Sequence, residues 1–198
     1  MPTPITVSTL SALLTAALAQ HPTRPLVLAL DGHCGSGKTT LANALARQFT
    51  CSVLHTDDFY LPPAQRCADW AHIPCANMDL TRLRDESLRP AYAGQPVVYR
   101  AYSCREGAYC SARQLPAQPL VILEGSYSHH PLLAQYETLR VFLTCSKPAQ
   151  ECRLRAREGE RYADFAARWI PLEEGYFTQH HIEEKADFVV DTTEGGRL

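Results

Sequence analysis

The stretch Leu26-Val27-Leu28-Ala29-Leu30-Asp31-Gly32-His33-Cys34-Gly35-Ser36-Gly37-Lys38-Thr39-Thr40 decides the fold. Its first five residues form an unbroken apolar run, the mark of a strand buried on both faces. Gly32 to Thr39 then matches G-x-x-x-x-G-K-[ST] in full, and Lys38 to Phe49 carries Ala and Leu at helical spacing. Glycines let the backbone curl until successive N–H groups point inward, and the N-terminus of the following helix adds positive potential there. A loop of this kind is suited to the phosphates of a nucleoside triphosphate. Gly32, Gly35, Ser36, Gly37, Lys38, Thr39 and Thr40 are its candidate contacts. Lys38, one of only three lysines, can reach the outer phosphates, while the Thr39 hydroxyl can ligate Mg²⁺.

Outward from this stretch, short apolar runs recur. Cys51 to His55, Leu120 to Leu123, Leu139 to Leu143 and Phe188 to Val190 read as further strands. Pro148 to Glu158 and Phe165 to Phe177 read as helices, the second with Pro171 as a candidate kink. Leu80 to Arg89 reads as another, with Pro90 as its stop signal. This alternation predicts an α/β domain with a doubly wound parallel sheet and flanking helices. No repeat, low-complexity tract or linker divides residues 1–198, which are read as one domain. The proline- and aromatic-rich region from Leu61 to Pro119 is the least regular and is expected to carry substrate contacts.

At the start, Ile5 to Ala19 is uncharged, and Ala17-Leu18-Ala19 has the form of a signal-peptidase site. Met1 to Thr6 carries neither Lys nor Arg, so the basic segment of a signal peptide is missing. Leu10, Leu13, Leu14, Ala17 and Leu18 share a helical stripe with Ser8 placed to cap it, and an amphipathic helix over about 8–20 is the reading preferred.

Composition narrows the class. Hydrophobic residues make up 45% of the 198 and charged residues 20%, as in an ordinary globular protein. A net charge of −2 disfavours a nucleic-acid polymer as partner. No run of eighteen uncharged apolar residues is present, so no membrane span is expected. The eight cysteines include no Cys-x-x-Cys pair, which points to free thiols in a reducing cytoplasm rather than to disulfides or zinc.

Several residues besides the glycine-rich loop can carry chemistry. His55-Thr56-Asp57-Asp58-Phe59-Tyr60 follows the second strand, where ligands of open α/β sheets bind. A carboxylate there can accept a proton from a hydroxyl or hold the Mg²⁺ shell; equally, it can cap a helical turn. Leu120 to Glu124 is an apolar run ending in a carboxylate, the form of a metal-associated strand end. Arg153, Arg155, Arg157 and Arg161 form a basic cluster. Arg153, Arg157 and Arg161 can share a helical face aimed at phosphate, or the cluster can be a solvated face paired with Glu151, Glu158 and Glu160. Phe165, Trp169, Leu172 and Tyr176 fall on a stripe expected in the core. The His129-His130 pair is a weak metal signal, and Cys34 can block the loop on oxidation if it is exposed.

Together these segments resemble the uridine kinase-like branch of the P-loop kinases, which includes phosphoribulokinase and pantothenate kinase. The matching segments are Leu30 through Thr40, Thr56 to Tyr60, Asn77-Met78-Asp79, Pro96 to Tyr99, Leu123-Glu124-Gly125, Arg153-Leu154, and Lys185 to Val190. The resemblance implies a P-loop NTPase fold with an Arg-rich lid over about 151–162. It implies that Asp57 activates an acceptor hydroxyl and that Thr39 and Glu124 hold Mg²⁺. It places Tyr60, Asp79, Tyr99 and Tyr102 along the acceptor pocket. Lys38, Arg153 and Arg157 would stabilise the transferring charge. In uridine kinases an aspartate follows the tyrosine matching Tyr99, and a histidine that reads the pyrimidine comes shortly after. Here Arg100 takes the aspartate's place, and Ala101 to Tyr109 holds no histidine.

The expectation is therefore an ATP- and Mg²⁺-dependent kinase of a small hydroxylated metabolite, with a nucleoside such as uridine or cytidine as the leading acceptor. A non-nucleoside alcohol, such as a sugar phosphate or pantothenate-like compound, is the alternative within that class. A regulatory module that binds ATP without transferring it is the alternative outside it.

Overall fold

In chain order, the computed structural model, which describes residues 1–20 and 22–194, begins with β1 (Thr3–Pro4), α1 (Val7–Ala19), β2 (Leu26–Gly32), α2 (Lys38–Gln48) and β3 (Cys51–His55). It continues through α3 (Leu80–Arg82), a π-helical segment (Leu83–Leu88) and α4 (Arg89–Tyr92) to the strands β4 (Val97–Ser103), β5 (Ala108–Leu115), β6 (Leu120–Glu124) and β7 (Leu139–Thr144). Then come α5 (Lys147–Glu158), α6 (Tyr162–His180) and β8 (Phe188–Asp191).

Six strands form one parallel sheet in the order β1-β8-β7-β2-β6-β3. The alternating side chains of β2 explain its place at the centre. Val27 joins Leu54, Val121 and Phe142 in the core on one face, while Leu28 and Leu30 join Leu41, Leu45 and Ile122 on the other. The second face is covered by α1 and α2, through Leu10, Leu14, Leu41 and Leu45. The first is covered by α6, the α3–α4 segment and the β4–β5 hairpin, through Tyr176, Leu83, Leu88 and Tyr99. After β2 the chain crosses to β3 at one edge, then returns through β6 to β7 on the other side of β2. The loop leaving β2 therefore lies where the strand order reverses, the place at which open α/β sheets bind ligands.

Gly32 could not be another residue. Its φ is +133°, and a Cβ there would lie 2.0 Å from the Leu143 carbonyl oxygen of the neighbouring strand. Just behind that loop, buried Asp31 accepts from the Gly32 N–H (2.8 Å), the His129 N–H (2.9 Å) and the Tyr176 hydroxyl (2.8 Å). One carboxylate so ties β2, the segment after β6 and α6 together.

Three local expectations need correction. Thr6, not Ser8, caps α1, its hydroxyl accepting from the Thr9 N–H at 3.1 Å. Pro90 does not stop the helix begun at Leu80, because the preceding π-helical turns break the i→i−4 ladder before the missing N–H is needed. The basic segment is not one helix either: α5 ends at Glu158, Gly159 turns with φ +59°, and Arg161 belongs to a separate 3₁₀ turn. The hairpin β4–β5 and the two-residue β1 were not anticipated.

Candidate active site

A cleft of about 860 Å³ opens above the carboxyl ends of β2, β3 and β6. Gly35, Gly37, Lys38, Thr39 and Thr40 line it, while Gly32 and Ser36 sit behind the loop's inner surface. Ser36 is fully buried, and its carbonyl accepts from the Thr192 hydroxyl at 2.8 Å. The Lys38 ammonium donates to the carbonyls of Gly32 (2.5 Å) and His33 (3.0 Å). It is held at the mouth of the loop, within a side-chain swing of any anion placed there.

Glu124, at the end of β6, is buried and shared. One carboxylate oxygen accepts from the Thr39 hydroxyl at 3.0 Å, and the other pairs with His55 Nδ1 at 2.5 Å. The parallel register that puts His55 beside Glu124 fixes this pairing. The hydrogen bond to Glu124 raises the His55 pKa above its ordinary value despite partial burial. Gly125, next in sequence, has φ +126°, and a Cβ there would strike the Thr56 hydroxyl at 2.1 Å.

The adjacent aspartates have separate surroundings. Asp58 is buried, accepting from the Tyr99 hydroxyl at 2.7 Å and pairing with Arg113 at 2.5 Å, so it anchors the hairpin. Among the described residues Asp57 forms no ion pair. It lines the cleft, and the hydrogen bond it accepts within that set comes from the Tyr60 hydroxyl, at 3.2 Å. Neither aspartate caps the short 3₁₀ turn Thr56–Phe59. The surface that Asp57 exposes opens into the cleft, where protein walls replace much of the surrounding water. Burial pushes its carboxyl above the ordinary carboxylate range, and the Glu124 charge adds to the shift.

The other residues singled out from the sequence divide into two groups. Tyr60, Tyr102, Arg153 and Arg157 line the cleft. Arg153 is clamped by the Gly35 carbonyl (3.2 Å) and by the hydroxyl (3.0 Å) and carbonyl (2.5 Å) of Thr192, and Arg157 pairs with Glu158 at 2.8 Å. Asp79 and Tyr99 are not on the cleft wall. Asp79 caps α3, accepting from the Arg82 N–H at 3.0 Å, and Tyr99 is buried against Phe59 and Asp58. Phe165 and Trp169, expected in the core, line the cleft instead, because α6 buries its later turns through Leu172 and Tyr176 but not its first.

Three contributors carry no local motif. His55 is one. Glu173 of α6 is another: buried, it accepts from the Cys34 N–H and the Ser126 hydroxyl, both at 2.7 Å. The Cys34 thiol is pushed up to about 12 by burial and by Glu173, which leaves it protonated and unreactive at neutral pH. The third is the pair Arg66 and Trp70, from the irregular region after β3.

The donor set suits a hard cation with phosphates. Thr39 and Glu124 supply oxygen ligands at the loop's edge, and Mg²⁺ ordinarily takes one or two protein oxygens beside phosphates and waters. Among the described residues no group of three or more His, Cys, Asp or Glu forms a closed metal cage.

No protein-family model matches the chain, and no curated protein matches it in sequence. Solved structures match it closely in shape. A possible uridine kinase from Bacillus stearothermophilus aligns with a TM-score of 0.72 at 22% identity, over 93% of this chain and 97% of that one. A putative fructose transport system kinase from Silicibacter sp. TM1040 aligns at 0.71 and 20%, over 93% and 98%. A D-glycerate 3-kinase from Cryptococcus neoformans aligns at 0.61 and 17%, over 93% and 95%. The chain thus has an α/β fold of the P-loop kinase type. The shared fold extends over nearly the whole length of the chain.

Proposed function

We propose that the chain is an ATP- and Mg²⁺-dependent kinase, acting as one domain, that transfers a phosphoryl group to a hydroxyl of a small metabolite. The observation that carries this reading is one cleft holding both Asp57, a carboxyl with no ion-pair partner among the described residues, and the Lys38–Thr39–Glu124 group. A module that only bound ATP would need no proton acceptor facing the phosphate loop.

The residues act as follows. Main-chain N–H groups of the loop orient the triphosphate, and Lys38 leaves the Gly32 and His33 carbonyls for its outer oxygens. Thr39 and Glu124 would hold Mg²⁺, which when bound would supply charge neutralisation to the phosphates. His55 orients Glu124 through the hydrogen bond at Nδ1, the same contact that raises the imidazole's pKa. Asp57 accepts the acceptor's hydroxyl proton as the oxygen attacks in line, with Tyr60 fixing the carboxylate by its own hydrogen bond. Arg157, on the segment read as a lid, adds positive charge over the transferring group and excludes water when closed, while Arg153 braces the back of the phosphate loop through the Gly35 carbonyl and Thr192.

The aromatic wall of Tyr60, Tyr102, Trp70 and Trp169 can receive a planar base, which suits a nucleoside such as uridine or cytidine. Arg100, which stands where uridine kinases have an aspartate, points away: it donates to the Tyr109 and Cys110 carbonyls. The non-nucleoside alternative has its own support in the arginines of that wall. Eight free cysteines fit a reducing, cytoplasmic setting, and no described helix is long and apolar enough to cross a membrane. ADP release from ATP and Mg²⁺ across nucleosides, sugars, sugar phosphates and hydroxy acids tests the reading. Stimulation by one of them supports it, and nucleotide binding without stimulated release counts against it.

A further inference from the structure

Resting on that kinase reading, we infer that the phosphate acceptor is an anion, a hydroxy compound bearing a carboxylate or phosphate that Arg66 and Arg168 grip. The cleft has two sides about β2. Arg153 and Thr192 lie toward β8, against the back of the phosphate loop. Asp57, Tyr60, Arg66 and Trp70 follow β3, on the opposite side. The proton acceptor is on this second side, so this is where the acceptor molecule lies.

From Asp57 the wall runs outward through aromatic contacts. Tyr60 touches Trp169 with ring centroids 6.4 Å apart, and Trp169 touches Trp70 at 6.1 Å. At the far end two guanidinium groups lie over the Trp70 ring, Arg66 at 4.9 Å and Arg168 at 5.9 Å. Neither has a carboxylate within ion-pair distance among the described residues, whereas Arg157, also on the cleft wall, pairs with Glu158. Arg66 donates to the Leu61 carbonyl at 2.8 Å and only weakly, at 3.9 Å, to the Cys104 sulfur. Stacking on an indole steadies a guanidinium without using its in-plane N–H groups. Those donors form the fork that matches a carboxylate or phosphate. Both positive charges are held by one indole on the acceptor side of the cleft, where a carboxylate or phosphate would serve as their counter-ion. A neutral acceptor would leave them without one.

The test uses matched pairs of acceptors on the full chain: D-glycerate with glycerol, pantothenate with pantothenol, and ribulose 5-phosphate with ribulose, plus uridine. ADP release is expected to favour the charged member of one pair by 100-fold or more in kcat/KM. The responding pair distinguishes a carboxylate from a phosphate. Arg66→Met and Arg168→Met are expected to raise KM for that compound at least tenfold with kcat little changed, and Arg168→Lys to recover part of the loss. ATP affinity, measured alongside, confirms that the variants fold. Preference for uridine or for neutral members, or arginine variants with unaltered KM, overturns the inference while leaving the kinase reading intact. Absence of transfer to every compound removes the kinase reading, and the inference falls with it.

Discussion

The buried carboxylate of Glu173 accepts the backbone N–H of Cys34 at 2.7 Å, so a helix remote in sequence reaches into the phosphate loop. It places a negative charge where the loop otherwise presents donors to an anion. Glu173→Ala leaves the Cys34 N–H and the Ser126 hydroxyl without this partner, and is expected to cost about 1–3 kcal/mol of stability, read from a denaturant melt. Glu173→Gln keeps the side-chain shape but removes the charge. It is expected to bind ADP several-fold more tightly in equilibrium dialysis, and unchanged affinity would show that the charge does not reach the phosphates.

The raised Asp57 pKa sets a pH dependence. As a general base the residue must be ionised, so kcat/KM rises with pH through a limb lying above the ordinary carboxylate range. Tyr60→Phe removes the one hydrogen bond that favours the ionised form, and the limb should move to still higher pH. A limb shifted downward would contradict the assignment.

Glu124→Gln separates two roles of one side chain. It is expected to raise the Mg²⁺ concentration needed for half-maximal activity by about 10–100-fold. It also removes the chief cause of the raised His55 pKa, which should return toward 6.5 when followed by imidazole NMR. The stability that this pair contributes is fully present below pH 6.5 and is lost as pH rises through the folded-state value, so the variant's deficit should be largest in acid.

Glu137 gives the opposite slope. Both carboxyl oxygens are buried without a hydrogen-bond partner among the described residues, and burial raises its pKa from 4.5 to about 8. Between those values the unfolded chain has lost the proton and the folded chain keeps it, so stability falls as pH rises across that window. Glu137→Gln should flatten the fall and stabilise the protein at pH 8 by on the order of a few kcal/mol, measured by chemical denaturation. Equal slopes in both proteins would show that Glu137 is solvated.

Much of this was readable where chemistry and burial are local. β2 and β6 are continuous apolar runs because both faces of a central parallel strand are buried, and β6 ends in Glu124 on the cleft wall, with His55 beside it at the end of the edge strand β3. Lys38 and Thr39 were legible from motif spacing. β5 was not, because Ala108–Leu115 is mostly exposed and shows little of the alternation of a half-buried strand. Glu173, Arg66 and Trp70 escaped for another reason: their roles come from docking α6 and the segment after β3 against the loop, and no short-range pattern encodes such contacts. The stripe Phe165-Trp169-Leu172-Tyr176 misled because one helical face can run from core to cleft without a change in composition.

The most direct measurement compares acceptor-stimulated ADP release by the wild-type chain and by Asp57→Asn, with ATP affinity determined for both. The expected result is transfer reduced by about 100-fold or more in the variant, with ATP affinity within a few-fold of wild type. An Asp57→Asn variant that transfers phosphate at the wild-type rate would contradict the central claim.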